Sequence, residues 1–136
     1  AARPAVKSML ERADAILGYS VRDLAFFGPD FLLAQPRYSM PVAFVLGMVA
    51  LDELRRVEPE AVNNVGCYSG AGTGHIIALC AAGVLTFQEG LRIVQARAEI
   101  VDEFASQVKQ MVVWSSVWTC RRPSAFAQRR LCRPVQ

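Results

Sequence analysis

The sequence predicts a helix-rich α/β domain, an expectation carried by three observations. Apolar residues recur at helical spacing over several separate stretches, residues 61–68 form a short apolar run of strand character, and residues 65–79 read as strand, glycine turn and helix. The turn itself is Gly70-Ala71-Gly72-Thr73-Gly74. It carries glycine where a strand-to-helix turn of this pattern ordinarily displays a reactive serine.

Taken in order, Val6, Met9, Leu10, Ala13, Ile16 and Leu17 lie at helical spacing with Gly18 as a C-terminal stop, so residues 4–17 are expected as an amphipathic helix. Residues 21–27 form a short helical turn broken by Gly28-Pro29. A largely buried helix is expected from Pro41, placed in the first turn, through Phe44, Val45, Met48 and Leu54 to Val57. Gly47 inside it suggests the close passage of a neighbouring backbone. Glu58-Pro59-Glu60 ends that helix and residues 61–68 supply the strand. The next helix starts near Gly74 and closes at Gly83, and Thr86-Phe87-Gln88-Glu89 is a capping box opening a longer helix through Leu91, Val94, Ala98 and Phe104.

The composition divides the chain. Residues 1–107 hold all twelve acidic residues and nine of the fifteen Lys and Arg, a net charge of −3, whereas residues 108–136 hold six basic residues and no acid. A folded domain is expected over 1–110 and a basic extension over 111–136, in which residues 111–118 have strand character. With 53% hydrophobic residues the domain can bury a core. The apolar stretch from Pro41 to Leu51 is too short for a membrane span. Cys67, Cys80, Cys120 and Cys132 are scattered and His75 is the only histidine, which argues against a metal site, and Cys80 is expected as a buried thiol. The start Ala-Ala-Arg-Pro suits a chain from which a targeting peptide has been cut, or a start set by other means.

Several consecutive blocks resemble the malonyl-CoA:acyl-carrier-protein transacylases, the acyltransferases of fatty-acid and polyketide synthesis. The blocks are Leu17-Gly18-Tyr19-Ser20-Val21-Arg22-Asp23-Leu24, then Met40-Pro41-Val42-Ala43-Phe44 and Ala50-Leu51-Asp52-Glu53-Leu54, and then the strongest, Gly74 through Arg92 with its Ala78-Leu79-Cys80-Ala81-Ala82-Gly83 core. The resemblance covers roughly residues 6–106. It lays Gly70, Ala71, Gly72, Thr73 and Gly74 over that family's nucleophile elbow, with Gly72 at the nucleophile and Ala71 at the histidine beside it. It also lays Arg97 over an arginine that pairs with the malonyl carboxylate, a task suited to a planar two-donor fork. The alternative for Arg97 is an exposed helical arginine paired with Asp102 or Glu103.

The resemblance implies part of an α/β-hydrolase-like large subdomain, with the ferredoxin-like subdomain, the oxyanion block and the catalytic histidine missing. Acyl transfer needs a nucleophile, a base and oxyanion donors, and Gly72 offers no side chain. Ser69 sits three residues too early to replace it. The spacing Gly70-x-Gly72-x-Gly74 lacks the lysine of a phosphate-binding loop. The expected role is therefore a non-catalytic accessory or structural subunit of a larger organellar assembly, the mitochondrion ahead of the plastid, with other protein subunits as partners and no cofactor. Two alternatives stay open: an acyltransferase fragment active only with another chain, and a binder of CoA or acyl carrier protein. Arg121, Arg122, Arg129, Arg130 and Arg133, with Trp114, Trp118 and Phe126, form a docking tail for an acidic protein or a nucleic acid, or a solvated extension.

Overall fold

Proline sets three of the helix starts in the computed structural model, which describes residues 3–107. Helix α1 (Pro4–Leu17), α4 (Pro36–Val57) and α5 (Pro59–Asn63) all carry it in their first turn, where its missing N–H has no intrahelical partner to lose. The remaining helices are α2 (Val21–Phe27), α3 (Asp30–Leu33), α6 (Thr73–Ala81) and α7 (Phe87–Gln107). The basic docking tail and residues 111–118 lie outside the described residues.

The helices at 4–17 and 21–27 fall where the periodicity places them, and their junction shows why. Gly18 ends α1 at φ 79°, a left-handed conformation that glycine adopts without penalty, and its N–H donates to the Asp14 carbonyl. The Asp14 carboxylate accepts the Val21 N–H at 2.8 Å, and the Ser20 hydroxyl accepts the Asp23 N–H at 3.2 Å. One side chain from α1 and one N-cap thus satisfy two donors at the start of α2.

Helix α4 starts earlier than the sequence suggests. Pro36 opens it, and Pro41, expected in the first turn, lies fully buried in the helix body. Its ring removes only the bond to the carbonyl of Arg37, close to the N-terminus, so the helix continues.

The expected strand at 61–68 does not form. Residues 59–63 are helical in α5, and residues 65–70 run without helix or strand pairing before the glycine turn. A strand exists only by pairing, and no second extended segment meets this one among the described residues, which contain no strand. The architecture over 3–107 is therefore helix-rich, without the observed sheet an α/β assignment requires.

The core is a three-helix crossing. Phe44, Val45 and Met48 of α4 pack with Leu91, Val94 and Ala98 of α7 and Cys80 of α6, while Ala13 and Val21 close one side. The Phe44 and Phe87 rings stack 5.7 Å apart. Gly90 makes the crossing close: a Cβ there would stand 2.7 Å from Cys80 Sγ and 2.8 Å from Phe44 Cζ. At Gly47 the close neighbour is the Ile77 side chain of α6, where the sequence suggested a backbone. Arg55, in the last turn of α4, donates to the Ala81 carbonyl at the end of α6 at 3.1 Å.

Helix α7 begins with the capping box as read from the sequence. The Glu89 carboxylate accepts from the Thr86 N–H at 2.9 Å and from its hydroxyl at 2.7 Å, and the Thr86 hydroxyl accepts the Glu89 N–H at 3.3 Å. The Thr86 donors, backbone first, hold the Glu89 carboxyl below its ordinary 4.5. Cys80 is a buried free thiol, as expected, with its pKa raised by burial and then by the Glu89 charge.

Tyr19, in the α1–α2 turn, meets Tyr38 edge to face at 5.5 Å, and its hydroxyl oxygen is buried with no hydrogen-bond partner among the described residues. Burial, then the neighbouring Tyr38, push its phenol up to about 12, against the opposing pull of Arg37.

Gly90→Ala should lower stability by about 1–3 kcal/mol, the typical range for overpacking, because the aromatic ring and the sulfur must both move; urea unfolding followed by circular dichroism measures it. A depressed folded pKa at Glu89 means that its contribution is complete above 4.5 and is lost as the pH falls through the lower folded value. Thermal melts of wild type and Glu89→Gln should therefore differ at neutral pH and converge in acid. Tyr19 works in the opposite sense: its contribution is full below pH 10.0 and is lost as the pH rises toward about 12. Alkaline absorbance titration should show one late tyrosine that Tyr19→Phe abolishes.

Candidate functional site

The glycine turn is built by backbone bonds and by the absence of side chains. The Gly74 N–H donates to the Ala71 carbonyl at 2.9 Å and the His75 N–H to the Gly72 carbonyl at 3.3 Å, so α6 is already winding as the chain leaves the turn. Gly72 is the N-cap of α6 at φ 58°, ψ −123°. That region is strained for an L-residue and free for glycine, and Gly72 is the residue that the sequence resemblance lays over the tip of a nucleophile elbow. Space around the Gly72 Cα is open: a Cβ would meet nothing within 4 Å. Gly70 is the opposite case, because a Cβ there would collide with the Gly74 carbonyl and the His75 amide.

Arg97 reaches this turn from α7. Its Nη1 donates to the Gly72 carbonyl at 3.4 Å, and among the described residues it forms no ion pair with Asp102 or Glu103. The structure thus brings together two features that lie 25 residues apart in sequence. Periodicity gives no hint of this contact, since it depends on how α7 crosses α4 and where α6 starts.

A cavity of about 310 Å³ lies beside the turn, lined by Tyr68, Ser69, Gly70, His75 and Leu79 among others. Ser69 and His75 therefore share a wall, although no hydrogen bond joins them. Tyr68 fixes the approach of the chain by donating from its hydroxyl to the Val62 carbonyl at 3.3 Å. The turn can offer backbone donors: the Thr73 N–H stands at the first position of α6, without an intrahelical acceptor by its place in the helix. It offers no nucleophile at its tip. No group of three His, Cys, Asp or Glu side chains able to hold a metal occurs among the described residues. No helix among them is long and apolar enough to cross a membrane.

The helical core thus carries a glycine turn at the start of α6 with Arg97 laid against it. The sequence comparisons give the family. The chain is 33% identical over 105 residues to the mitochondrial malonyl-CoA-acyl carrier protein transacylase of Mus musculus, a match covering 77% of this chain and 28% of the mouse protein. It is 31% identical over 105 residues to the Homo sapiens mitochondrial transacylase, covering 77% of this chain and 27% of that protein. It is 32% identical over 95 residues to the polyketide biosynthesis malonyl CoA-acyl carrier protein transacylase PksC of Bacillus subtilis, covering 70% of this chain and 32% of PksC. No protein-family model matches the sequence. The chain belongs to the malonyl-CoA:acyl-carrier-protein transacylase family, and it spans between a quarter and a third of the length of these relatives.

The turn geometry orders three alanine substitutions. Gly70→Ala should destabilise strongly, by more than the roughly 1 kcal/mol typical of point mutants, because backbone must move. Gly74→Ala, in the first turn of α6 with open space around it, should be neutral or stabilising by about 0.5–1 kcal/mol through helix propensity. Gly66→Ala, also in open space but outside any helix, should lie between them. Thermal melting of the three variants checks the order.

Proposed function

We propose that this chain is a non-catalytic transacylase-like protein that acts as an accessory or structural subunit of a larger assembly. Gly72 carries the proposal: it stands at the tip of the elbow, in the conformation an elbow requires, without a side-chain atom to attack an acyl group. Loss of a nucleophile ordinarily removes several orders of magnitude of rate, and the remaining backbone donors supply only residual catalysis. Exposed apolar side chains support a subunit role. Phe26, Phe27 and Phe31 at the α2–α3 corner are 73%, 83% and 67% exposed, and Ile93, Ile100 and Phe104 form an exposed stripe on α7. Several large apolar side chains left exposed on α2, α3 and α7 favour a face that another protein covers. Two of the relatives are named as mitochondrial, and we place this chain in the same organelle.

A second reading is favoured by Arg97. Its exposed guanidinium lies beside the elbow without a carboxylate partner among the described residues, so the segment would bind a malonyl-bearing CoA or carrier protein without turning it over.

Incubation of the purified chain with malonyl-CoA, followed by intact-mass measurement, should show no acyl adduct; a stable malonyl adduct would overturn the non-catalytic reading. If Arg97 binds the carboxylate, calorimetry should show malonyl-CoA binding more tightly than acetyl-CoA. Arg97→Ala should erase that difference.

A further inference from the structure

Helix α7 buries one face and leaves an apolar line open beside it. Leu91, Val94 and Ala98 are fully buried, whereas Ile93, Ile100 and Phe104 are 42%, 58% and 58% exposed. Their spacing, seven and then four residues, sets these three on one line along the helix, about 16 Å from end to end at ~1.5 Å per residue. Large apolar side chains in such a row favour a face that is covered in the whole protein.

The chain itself carries a fitting cover. Residues 111–118 place Met111, Trp114, Val117 and Trp118 in an apolar run whose first residue follows Phe104 by seven positions. Eight extended residues reach roughly 26 Å at ~3.3 Å each, longer than the line they would cover. A segment tethered this near meets the helix at a roughly millimolar effective concentration, which a separate protein must match. Charge points the same way. Between Ala98 and Gln107, α7 carries Glu99, Asp102 and Glu103 and no base, and none of the three forms an ion pair among the described residues. Residues 108–136 carry six basic residues and no acid, and opposite charges attract within a Debye length of about 8–10 Å.

We propose that residues 111–118 fold back on α7 and cover the line of Ile93, Ile100 and Phe104, so that the basic segment docks on its own domain. This goes beyond the subunit reading and does not depend on it. A partner that covers α7 must displace the segment, while Phe26, Phe27 and Phe31 stay open to that partner throughout.

Trp114 and Trp118 are the only tryptophans of the chain, so tryptophan fluorescence of the full chain reports on this segment alone. The emission should lie to the blue of the urea-unfolded chain, resist acrylamide quenching and stay unchanged on dilution. Ile100→Asp and Phe104→Asp, each at an exposed position outside the core, should shift it to the red and open it to the quencher, while far-ultraviolet circular dichroism keeps its helical signal. Phe26→Asp, on the exposed corner of α2, should leave the emission in place. An emission of the unaltered chain already at the unfolded position overturns the proposal, and that reading needs no variant to fold. A blue-shifted emission that neither α7 substitution moves, or that Phe26→Asp moves instead, overturns it as well. So does one that dilution shifts to the red, which marks a second copy of the chain as the occupant.

Discussion

Everything near the elbow depends on two helices being able to touch where a side chain is missing. Phe44 of α4 and Cys80 of α6 occupy the space that a Cβ at Gly90 would need, and Ile77 of α6 does the same at Gly47. These two glycines let α4 act as the common floor for α6 and α7. Each weakens its own helix, by about 1 kcal/mol against alanine, and the gain is the close packing of Phe44, Leu91 and Val94, all fully buried. Once α7 is set on α4, Arg97, two turns beyond Gly90, falls within reach of the Gly72 carbonyl. Arg55 completes the arrangement from the other end by capping α6 at Ala81. The position of the turn is thus a consequence of the core.

On the proposed reading, in which Gly72 stands at the position of a nucleophile, the turn also explains how a fold can persist without its reactive residue. An L-residue at φ 58°, ψ −123° is strained, and a protein that places a nucleophile there must hold it against that strain. Glycine adopts the same conformation freely, so substitution of a nucleophile by glycine relaxes the backbone while leaving its path intact. Gly70 preserves the path independently, since only a residue without Cβ fits beneath the Gly74 carbonyl. Chemistry and scaffold are therefore separable at this site: the first needs a side chain at the tip, the second needs its absence two residues earlier.

Most of the helical frame could be read from the residues, because amphipathic spacing, Gly18, Gly83 and the Thr86–Glu89 box are local signals with local causes. The strand at 61–68 could not be decided that way. Apolar character marks residues able to pair, but pairing needs a neighbour, and none is present among the described residues; Pro59 instead starts a short helix. Helix α3 was missed because four residues carry too little periodicity. The early start of α4 was missed because two prolines five residues apart each look like a beginning, and only the first is one. Gly72 and Arg97 are each singled out by the sequence resemblance, while their contact, and a Tyr19 hydroxyl with no partner among the described residues, arise from tertiary packing and leave no trace in the sequence.

The central claim is that Gly72 holds a backbone conformation that strains an L-residue and that glycine adopts freely. The chirality of that conformation gives the most direct test, because φ 58°, ψ −123° is strained for an L-residue and is the mirror image of an ordinary extended conformation, so a D-residue adopts it readily. Semisynthetic protein with D-alanine at position 72 should melt at or above the wild-type temperature, and the L-alanine variant should melt below it, by the equivalent of about 1–3 kcal/mol. Equal stability of the two enantiomers, or greater stability of the L-form, would contradict the elbow geometry and with it the account of the site.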